Sequence, residues 1–320
     1  MKVLGISMGR RMGNSEILLK QALKACEEEG LEVAFIRLHD YKINPCTGCE
    51  LCTKLNRAQA ADPEHLNPQT HCMYPWDSDD YRQLIDLCEG SDGLIFAAPA
   101  YHLMPPGIGT VMLNRNHCAG LAGKYWPVPE SEHRVCATIG VGGSDWTSLF
   151  LPILDFTATE MIGSKMRLVD HMKLHRTPAI GMVLCNQEAL DRAKLLGKRV
   201  AASLKEGTTY FRGGAEDDGY CPVCHNSIMV VRHGRFACAI CDYEGDPVIV
   251  DGKIDHINWD GGIEITRWSP AGVQHHDDEQ FNVVKFIPGK GYVFTEEQKT
   301  AMEEGRKVWG KYLDPVMPKR

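Results

Sequence analysis

Seven of the thirteen cysteines in this 320-residue chain fall into two tight groups. The first is a triplet at CxxCxxC spacing, formed by Cys46, Cys49 and Cys52. The second consists of two CxxC pairs, Cys221 with Cys224 and Cys238 with Cys241. In a reducing compartment such groups are metal ligands more often than disulfides. The sequence therefore predicts two separate metal sites.

The triplet has the spacing of an iron–sulfur ligand loop. Three cysteines so arranged can bind three corners of one [4Fe–4S] cluster, because tight turns let successive thiolates converge. Two alternatives are a zinc knot and a reduced vestige without metal. Zinc normally takes cysteine pairs rather than a triplet, which favours iron.

The two pairs flank a strand pair, Ile228–Arg232 and Arg235–Ala237, around His233 and Gly234. Two such knuckles on a hairpin make a tetrahedral four-cysteine site. The segment resembles a zinc ribbon, and its short spacing also resembles a rubredoxin-like module, in which the ion is iron and carries one electron. We expect zinc, because so small a ribbon needs a metal to hold it and nothing nearby requires redox chemistry.

The stretch Gly5–Glu16 has the composition of an anion-binding loop. It follows a short apolar segment, Met1–Ile6, and precedes a helical pattern that begins near Asn14. The N–H groups at a helix N-terminus and the helix dipole favour a phosphate there. Ser7, Asn14 and Ser15 add candidate donors, and Arg11 adds a fork suited to phosphate. The alternative is an ordinary turn between a strand and a well-capped helix.

Strand and helix patterns alternate from residue 1 to about residue 206. The predicted strands after the first are Val33–Leu38, Asp92–Ala98, Arg134–Val141 and a fifth near Met166–Asp170 or Ala179–Leu184, and the predicted helices after the first are Asp79–Glu89, Leu149–Met161 and Gln187–Leu204. Near-continuous apolar strands separated by helices predict a doubly wound, five-stranded parallel sheet covered on both faces. Ligands of such sheets bind beyond the carboxyl ends of the strands.

Two further loops have the composition of ligand loops. Pro99–Gly107 follows the third strand and contains Tyr101, an aromatic ring placed to lie against a planar ligand. Gly140–Trp146 follows the fourth strand, and its glycines permit close backbone approach. One phosphate loop and two loops bordering a flat heterocycle indicate flavin mononucleotide (FMN).

The first half of the chain resembles the iron–sulfur flavoprotein family, within the flavodoxin-like NAD(P)H-dependent FMN reductase superfamily. SMGRRMGNS resembles the SGSPRxGNT phosphate loop of that group, APAYHLMPPG its isoalloxazine loop, and GVGGSDWTS its second glycine-rich flavin loop. The FMN-binding residues that this implies are Ser7, Gly9, Arg11, Gly13, Asn14, Ser15, Pro99, Ala100, Tyr101, His102, Gly140, Gly142 and Gly143. Met8 and Arg10 depart from the usual Gly and Pro. Tyr101 and His102 are the candidate catalytic proton donors, and the alternative is that Tyr101 only stacks and His102 only faces solvent.

The resemblance also implies a fourth cluster ligand shortly after the triplet. Here the next cysteine is Cys72, after a polar insertion of 19 residues (53–71). We predict Cys72 as the fourth ligand, with His65, His71 or Cys118 as substitutes.

The predicted domains are a flavodoxin-like FMN-binding domain (1–210) that carries the cysteine loop (45–75), a four-cysteine ribbon (216–250) and an extension (251–320). Residues 247–294 read as short strands at Val248–Val250, Ile254–Ile257, Ile263–Thr266, Val283–Phe286 and Tyr292–Phe294, followed by a helix at Glu296–Tyr312. His256, His275 and His276 are interpreted as solvated rather than ligating, and Trp259, Trp268, Phe281 and Tyr292 as packing onto the ribbon or a partner subunit.

Charge and hydropathy restrict the class of protein. A net charge of −7 argues against a general nucleic-acid binder, which is usually basic. No apolar run approaches the ~20 residues of a membrane span, and the N-terminus lacks the features of a signal peptide. We expect a cytoplasmic protein.

The predicted function is that of an FMN- and [4Fe–4S]-containing oxidoreductase that connects two-electron and one-electron partners. The resemblance implies an enzyme of anaerobic metabolism, a homo-oligomer, and NAD(P)H, ferredoxin or a small-molecule acceptor as redox partner. Three alternatives stay open: an NAD(P)H-dependent flavin or quinone reductase with only structural zinc, a redox-responsive binding protein, and a reductase of one organic substrate.

Overall fold

The structure, a computed structural model, describes residues 1–49, 72–75, 78–120, 134–160, 166–208, 211, 220–261 and 294–312, without the side chains of 116–120 and 261. Several predicted features lie outside the described residues: Cys52, His65, His71, the side chain of Cys118, the strands at 263–266 and 283–286, and most of the strand at 292–294, together with His275, His276, Trp268, Phe281 and Tyr292. Residues 1–275 and 276–320 form two units, which are described separately.

The first unit begins with alternating strands and helices. The strands are β1 (Lys2–Ser7), β2 (Glu32–Arg37), β3 (Gly93–Pro99), β4 (Arg134–Val141) and β5 (Met166–Leu174). The helices are α1 (Asn14–Glu28), α2 (Tyr81–Glu89), α3 (Gly107–Gly120), α4 (Phe150–Glu160) and α5 (Gln187–Glu206). Short 3₁₀ turns span Leu38–Asp40 and Met182–Cys185.

The five strands form one parallel sheet in the order β2-β1-β3-β4-β5. This is the flavodoxin-like doubly wound arrangement, whose strand order reverses between β1 and β3. The predicted fold is confirmed. Of the two candidates for the fifth strand, Met166–Leu174 is the strand, whereas part of Ala179–Leu184 forms a 3₁₀ turn. Helix α3 was not predicted.

Apolar side chains fill both faces of the sheet. On one face α2, α3 and α4 contribute buried residues such as Leu84, Met112 and Leu154. On the other, α1 and α5 contribute residues such as Leu18 and Leu196. Every residue of β4 after Arg134 is buried, as expected for a central strand covered on both sides. The two covered faces leave the carboxyl edge of the sheet for ligands.

A second sheet contains the four-cysteine segment. Its antiparallel strands are β6 (Met229–Arg232), β7 (Arg235–Cys238), β8 (Glu244–Val250) and β9 (Lys253–Gly261), in sequential order. Strand β9 pairs with β8 from Lys253 to Gly261, so the sheet of the ribbon continues past residue 250. The ring of Trp259 on β9 stacks on Tyr243, with centroids 5.8 Å apart.

The second unit contains helix α6 (Glu296–Trp309). Thr295 and Gln298 form a reciprocal capping box at its start, and none of its side chains is buried. Among the described residues of the whole chain, no helix has the length and apolar character needed to cross a membrane.

Candidate functional site

The loop between β1 and α1 is shaped as a phosphate cradle. Ser7 is buried, and its hydroxyl accepts a hydrogen bond from the Gly9 N–H (3.3 Å). A Cβ on Gly9 would lie 2.7 Å from Ser15 Oγ, so only glycine allows this approach. Gly13 is the N-cap of α1 and provides no side-chain cap. The loop therefore brings Ser7 and Ser15 close to Gly9, next to the N-terminus of α1, where free N–H groups favour an anion.

Asn14 has a different role from the one that its position in the motif predicts. Its side-chain amide donates to the carbonyls of Thr177 (3.0 Å) and Ala179 (2.7 Å), and its oxygen accepts from the Val183 N–H (3.2 Å). Both amide N–H groups are thus committed to the segment after β5. The predicted side-chain donor to phosphate is corrected: Asn14 joins α1 to that segment and leaves its backbone N–H for an anion.

Met8, which departs from the family motif, is fully buried. A Cβ on Gly109 of α3 would lie 2.6 Å from Met8 Sδ, so the large side chain at position 8 occupies space that a glycine on α3 leaves open. This contact ties the phosphate loop to the start of α3.

A buried carboxylate stands in the first turn of α1. Glu16 accepts hydrogen bonds from Arg37 (2.8 and 3.0 Å) and Lys20 (2.9 Å). Burial alone would raise the pKa of Glu16, but the hydrogen bonds from Arg37 and Lys20 outweigh burial and lower it to about 2. The carboxylate stays charged at neutral pH and fixes Arg37 beside the phosphate loop.

Arg37 borders an open cavity of ≈580 Å³ at this edge of the sheet. The lining residues are Arg10, Arg11, Arg37, His39, Asp40 and Tyr101. The cavity therefore brings together the predicted phosphate ligand Arg11 and the predicted ring-bordering residue Tyr101. Arg37 is paired with Glu16 and Asp40, so Arg10 and Arg11 supply the positive charge that suits an anionic cofactor.

The loop after β3 contains a tight turn. Tyr101 and Met104 exchange both backbone hydrogen bonds (2.9 and 3.1 Å), and the residues between them, His102 and Leu103, have φ values of 51° and 67°. Positive φ at both central positions defines a turn that normally selects Asn or Gly. The turn exposes the side chains of Tyr101, His102 and Leu103. The structure thus places His102 at the tip of the turn and Tyr101 at the cavity.

The loop after β4 lies beside the turn, because the Ala100 N–H donates to the Val141 carbonyl (2.8 Å). A Cβ on Gly142 would overlap the Thr147 side chain, whereas Gly143 is exposed. The glycine at 142 lets the loop fold tightly onto itself. Gly140 packs against the ring of Phe150, which gives it a structural reason independent of any ligand. Pro99, Ala100 and Gly143 thus lie in the two loops that follow β3 and β4 at the carboxyl edge of the sheet.

The cysteine segment follows β2. The Gly48 N–H lies 3.5 Å from Cys46 Sγ, and Gly48 has a φ of 67°. The same contact recurs in the ribbon, where the Ile240 N–H lies 3.5 Å from Cys238 Sγ. Cys46 and Cys49 are exposed and Cys72 is half-buried. The turn at Cys46–Cys49 thus has the N–H···S contact of a metal-ligand loop.

The two described arms of this segment contact each other. Thr47 Oγ1 donates to Met73 Sδ (2.9 Å), and Tyr74 donates to the Pro45 carbonyl (3.2 Å). The residues that adjoin Cys46 and Cys72 in the chain therefore meet. This geometry suits Cys72 as a ligand together with Cys46, across the insertion that separates them.

The ribbon cysteines form the arrangement of a single-ion site. Their sulfur atoms all lie within 4.8 Å of one another, with Cys221–Cys241 and Cys224–Cys238 each at 3.4 Å, and all four residues are buried. Four thiolates so close repel each other without a cation. Four soft sulfur ligands at this spacing fit Zn²⁺ or iron.

The ribbon packs directly onto the flavodoxin-like sheet. Asn226 donates from its amide to the Pro152 carbonyl on α4 (3.0 Å). The ring of Phe211 stacks on His225 at 4.1 Å and meets His171 of β5 edge-on at 5.3 Å. Burial lowers the pKa of His225 to about 4, so this ring is neutral at pH 7. The ribbon therefore contacts the sheet through aromatic rings, of which that of His225 is neutral.

Sequence reasoning missed the side chains that hold these ligand loops in place. Examples are Glu16 with Arg37, Arg115 with Asp79, and His171 with Asp155. Each pair joins residues that are 16 to 36 positions apart in the chain. No local spacing rule connects such positions. The sequence signal that could have indicated these buried pairs is a charged residue within an otherwise apolar pattern.

Comparison with known proteins agrees with this geometry. Residues 1–150 match the model of the family described as NADPH-dependent FMN reductase. An iron–sulfur flavoprotein of Methanocaldococcus jannaschii is 33% identical over 102 residues, which cover 32% of this chain and 44% of that protein. The match therefore spans less than half of the relative. These findings confirm the predicted resemblance.

Two other similarities extend beyond the flavodoxin-like half. A flavone synthase of Aspergillus candidus is 25% identical over 295 residues, which cover 86% of this chain and 87% of that protein. A solved structure described as a flavone reductase is 22% identical and superposes with a TM-score of 0.69, with 100% of both chains covered. The latter likeness shows a similar fold.

Proposed function

We propose that this chain, whose residues 1–150 match the NADPH-dependent FMN reductase family, is an FMN-dependent oxidoreductase. The observation that carries the proposal is the crevice at the carboxyl ends of β1, β3 and β4. There the uncapped N-terminus of α1, the turn after β3 and the glycine-rich loop after β4 converge. This is the switch point at which doubly wound sheets bind their ligands.

Different residues bind the phosphate and the ring of FMN. Ser7, Ser15 and the first N–H groups of α1 hold the phosphate, and Arg11 adds charge. The loops at Pro99–Tyr101 and at Gly143 border the ring. Bound FMN accepts hydride from a nicotinamide and passes electrons singly or in pairs. Tyr101 restricts the access of water to the ring through its position at the cavity.

We also propose a [4Fe–4S] cluster at Cys46, Cys49, Cys52 and Cys72, which would exchange single electrons with the flavin. The N–H···S contact at Cys46 and the contact between Thr47 and Met73 support it. The thiolates around a four-iron cluster stand further apart than those around a single ion. The sulfur atoms of the cluster cysteines are therefore expected to be more widely spaced than those of the ribbon. NAD(P)H or ferredoxin is the proposed redox partner, the molecule is proposed to be a homo-oligomer, and Zn²⁺ is proposed in the ribbon.

A second candidate function is the reduction or oxidation of one planar organic substrate. The flavone synthase of Aspergillus candidus, unlike the iron–sulfur flavoprotein, matches 86% of this chain, including sequence beyond the flavodoxin-like half. The exposed apolar side chains of Tyr101, Leu103 and Met104 beside the crevice favour a flat apolar molecule. Under this candidate the same FMN site acts on an organic acceptor rather than on an electron-transfer protein.

Anaerobic purification followed by cofactor analysis tests the proposal. We expect one FMN per chain, released on denaturation, and about four irons and four sulfides, with zinc measured separately. Arg11→Ala should weaken FMN binding about 10- to 100-fold, because a charge-assisted hydrogen bond contributes roughly 1.5–3 kcal/mol. Arg82→Ala, at an exposed position on α2, is the control and should leave FMN binding unchanged.

The outcomes separate the candidates. Flavin-free protein with an intact fold would reject the oxidoreductase. Zinc at the triplet and no iron after anaerobic reconstitution would reject the cluster and leave a simple flavin reductase. Turnover of a flavone with NADPH, at a rate well above that with one-electron acceptors, would favour the second candidate.

A further inference from the structure

A buried arginine on α3 stands at the base of the cysteine segment. The side chain of Arg115 is 2% exposed and forms an ion pair with Asp79, which is 1% exposed. Asp79 also accepts hydrogen bonds from the N–H groups of Asn44 (2.8 Å) and Tyr81 (3.2 Å). One carboxylate thus joins the start of the cysteine segment, the start of α2 and α3.

The guanidinium of Arg115 reaches both described arms of the segment. One terminal nitrogen lies 3.5 Å from the Asn44 carbonyl, and the other lies 3.8 Å from Cys72 Sγ. Its Cζ lies 5.1 Å from the ring centroid of Tyr74 and 4.2 Å from that of Tyr81. The planar, permanently charged fork of arginine makes these contacts simultaneously, which lysine cannot do.

We propose that Arg115 is the positioning residue that holds Cys72 beside the Cys46–Cys49 turn, so that thiolates from the two arms face one iron–sulfur cluster. This inference rests on the cluster that is part of the proposed function. It adds a physical cause for the placement of Cys72. The buried Arg115–Asp79 pair fixes the position of Cys72 through the contact of Arg115 with Cys72 Sγ.

The guanidinium also has an electrostatic consequence. A cluster bound by four thiolates carries negative charge, and a donor to one of its sulfurs favours the state with one more electron. A buried cation at 3.8 Å from Cys72 Sγ should therefore raise the reduction potential of the cluster. A role confined to folding would not produce such a shift.

The experiment compares Arg115→Gln, Arg115→Lys and Arg192→Gln in the full chain, each reconstituted anaerobically with ferrous iron and sulfide. Arg192→Gln is the control, because it breaks a comparable Arg–Asp pair with buried Asp170 between α5 and β5. Iron and sulfide per FMN are measured first. The midpoint potential of the cluster is then determined by a redox titration followed by electron paramagnetic resonance.

We expect Arg115→Gln to lose most of its iron and sulfide while it retains FMN. Arg115→Lys should recover most of the iron, because an ammonium still pairs with Asp79. Its midpoint should be lower than that of the wild type, because the donor to Cys72 is gone. Arg192→Gln should match the wild type in both measurements.

Four results would overturn the inference. The first is an iron content in Arg115→Gln equal to that of the wild type. The second is an unchanged midpoint potential of the cluster in Arg115→Lys. The Arg115→Lys variant remains informative if Arg115→Gln does not fold. Wild-type protein that takes up no iron would reject the proposed cluster and this role with it. Iron uptake by the wild type that is unaffected in both Arg115 variants would reject the role alone.

Discussion

Glu16 sets the electrostatics of the phosphate loop at the scale of a single residue. A negative charge in the first turn of a helix interacts favourably with the helix dipole, yet it would repel a phosphate bound one turn away. Arg37 and Lys20 cancel that charge through three hydrogen bonds. Glu16 is therefore an anchor for cations near the cofactor rather than a ligand or an acid–base group.

We predict a pH-dependent contribution of Glu16 to stability. Its pKa is about 2 in the folded protein and 4.5 ordinarily, so the stabilisation is present above pH 4.5 and is lost as the pH falls towards 2. Glu16→Gln should lower the free energy of unfolding by about 1–3 kcal/mol at pH 7 and by less at pH 3. Urea unfolding at several pH values measures this difference.

The control for this prediction is Glu28→Gln. Glu28 lies on α1, as Glu16 does, and forms an exposed ion pair with Lys194 of α5. Exposed pairs contribute little, so its stability should follow the wild type at every pH. A constant difference between Glu16→Gln and the wild type from pH 7 to pH 3 would contradict the assignment.

At the scale of elements, the ribbon contacts the sheet, and its four cysteines could hold a metal ion. Its small core consists of the four cysteines with Val223, Met229, Ile240 and Tyr243 packed against them. Such a core is too small to fold by itself, and metal binding supplies the missing free energy. Strands β6–β9 should therefore lose their structure when the metal leaves.

We predict that Cys238→Ser, or removal of the metal by a strong chelator, lowers the thermal stability of the ribbon and abolishes its bound metal. The absorption spectrum of FMN should stay unchanged, because the crevice is built from β1, β3 and β4. Calorimetry and metal analysis measure these effects. Cys26→Ser, at a buried thiol on α1 outside any metal site, is the control and should retain the metal. A loss of iron with the spectrum of a single thiolate-bound ferric ion would show a rubredoxin-like site instead of zinc.

The sequence predicts those elements whose pattern is local. Strand β4 was predicted with its observed bounds because its residues are continuously apolar. The fifth strand was ambiguous because Asp170 and His171 interrupt its apolar run. In the structure Asp170 pairs with Arg192, and His171 pairs with Asp155. Helix α3 was missed because its glycines and the preceding prolines resemble a loop.

The candidate site was predictable to a similar extent. The motif placed Ser7, Gly9 and Ser15 in the loop between β1 and α1, because the N-terminus of a helix after a strand is a local feature, and their role in binding phosphate stays a prediction. It misassigned the side chain of Asn14, whose partners lie more than 160 residues away. Contacts over such separations depend on the assembled sheet and have no signature in a single sequence.

At the scale of the whole molecule, several loops at the carboxyl edge of the sheet expose large apolar side chains. The loops after β3, β4 and β5 expose Leu103, Trp146, Ile180 and Leu184. Trp146 is 78% exposed, although tryptophan is normally well covered. Contiguous exposed apolar surface at a polar rim marks an interaction site. In a homo-oligomer with two-fold symmetry the same patch on each copy covers the other.

We predict that the protein is a homodimer in solution that associates through this edge. Trp146→Ser combined with Leu184→Ser should shift it to monomers, because the change removes two large apolar side chains from the centre of the contact. Sedimentation velocity at micromolar concentration measures the shift. Trp309→Ser, at a tryptophan that is 72% exposed on α6, is the control and should remain dimeric.

A monomeric wild type would contradict the homodimer. If the double variant remains a dimer, the interface lies on another surface of the protein. If the edge is the interface, the FMN affinity of the double variant should also fall, since the second copy covers the mouth of the crevice that Tyr101 borders.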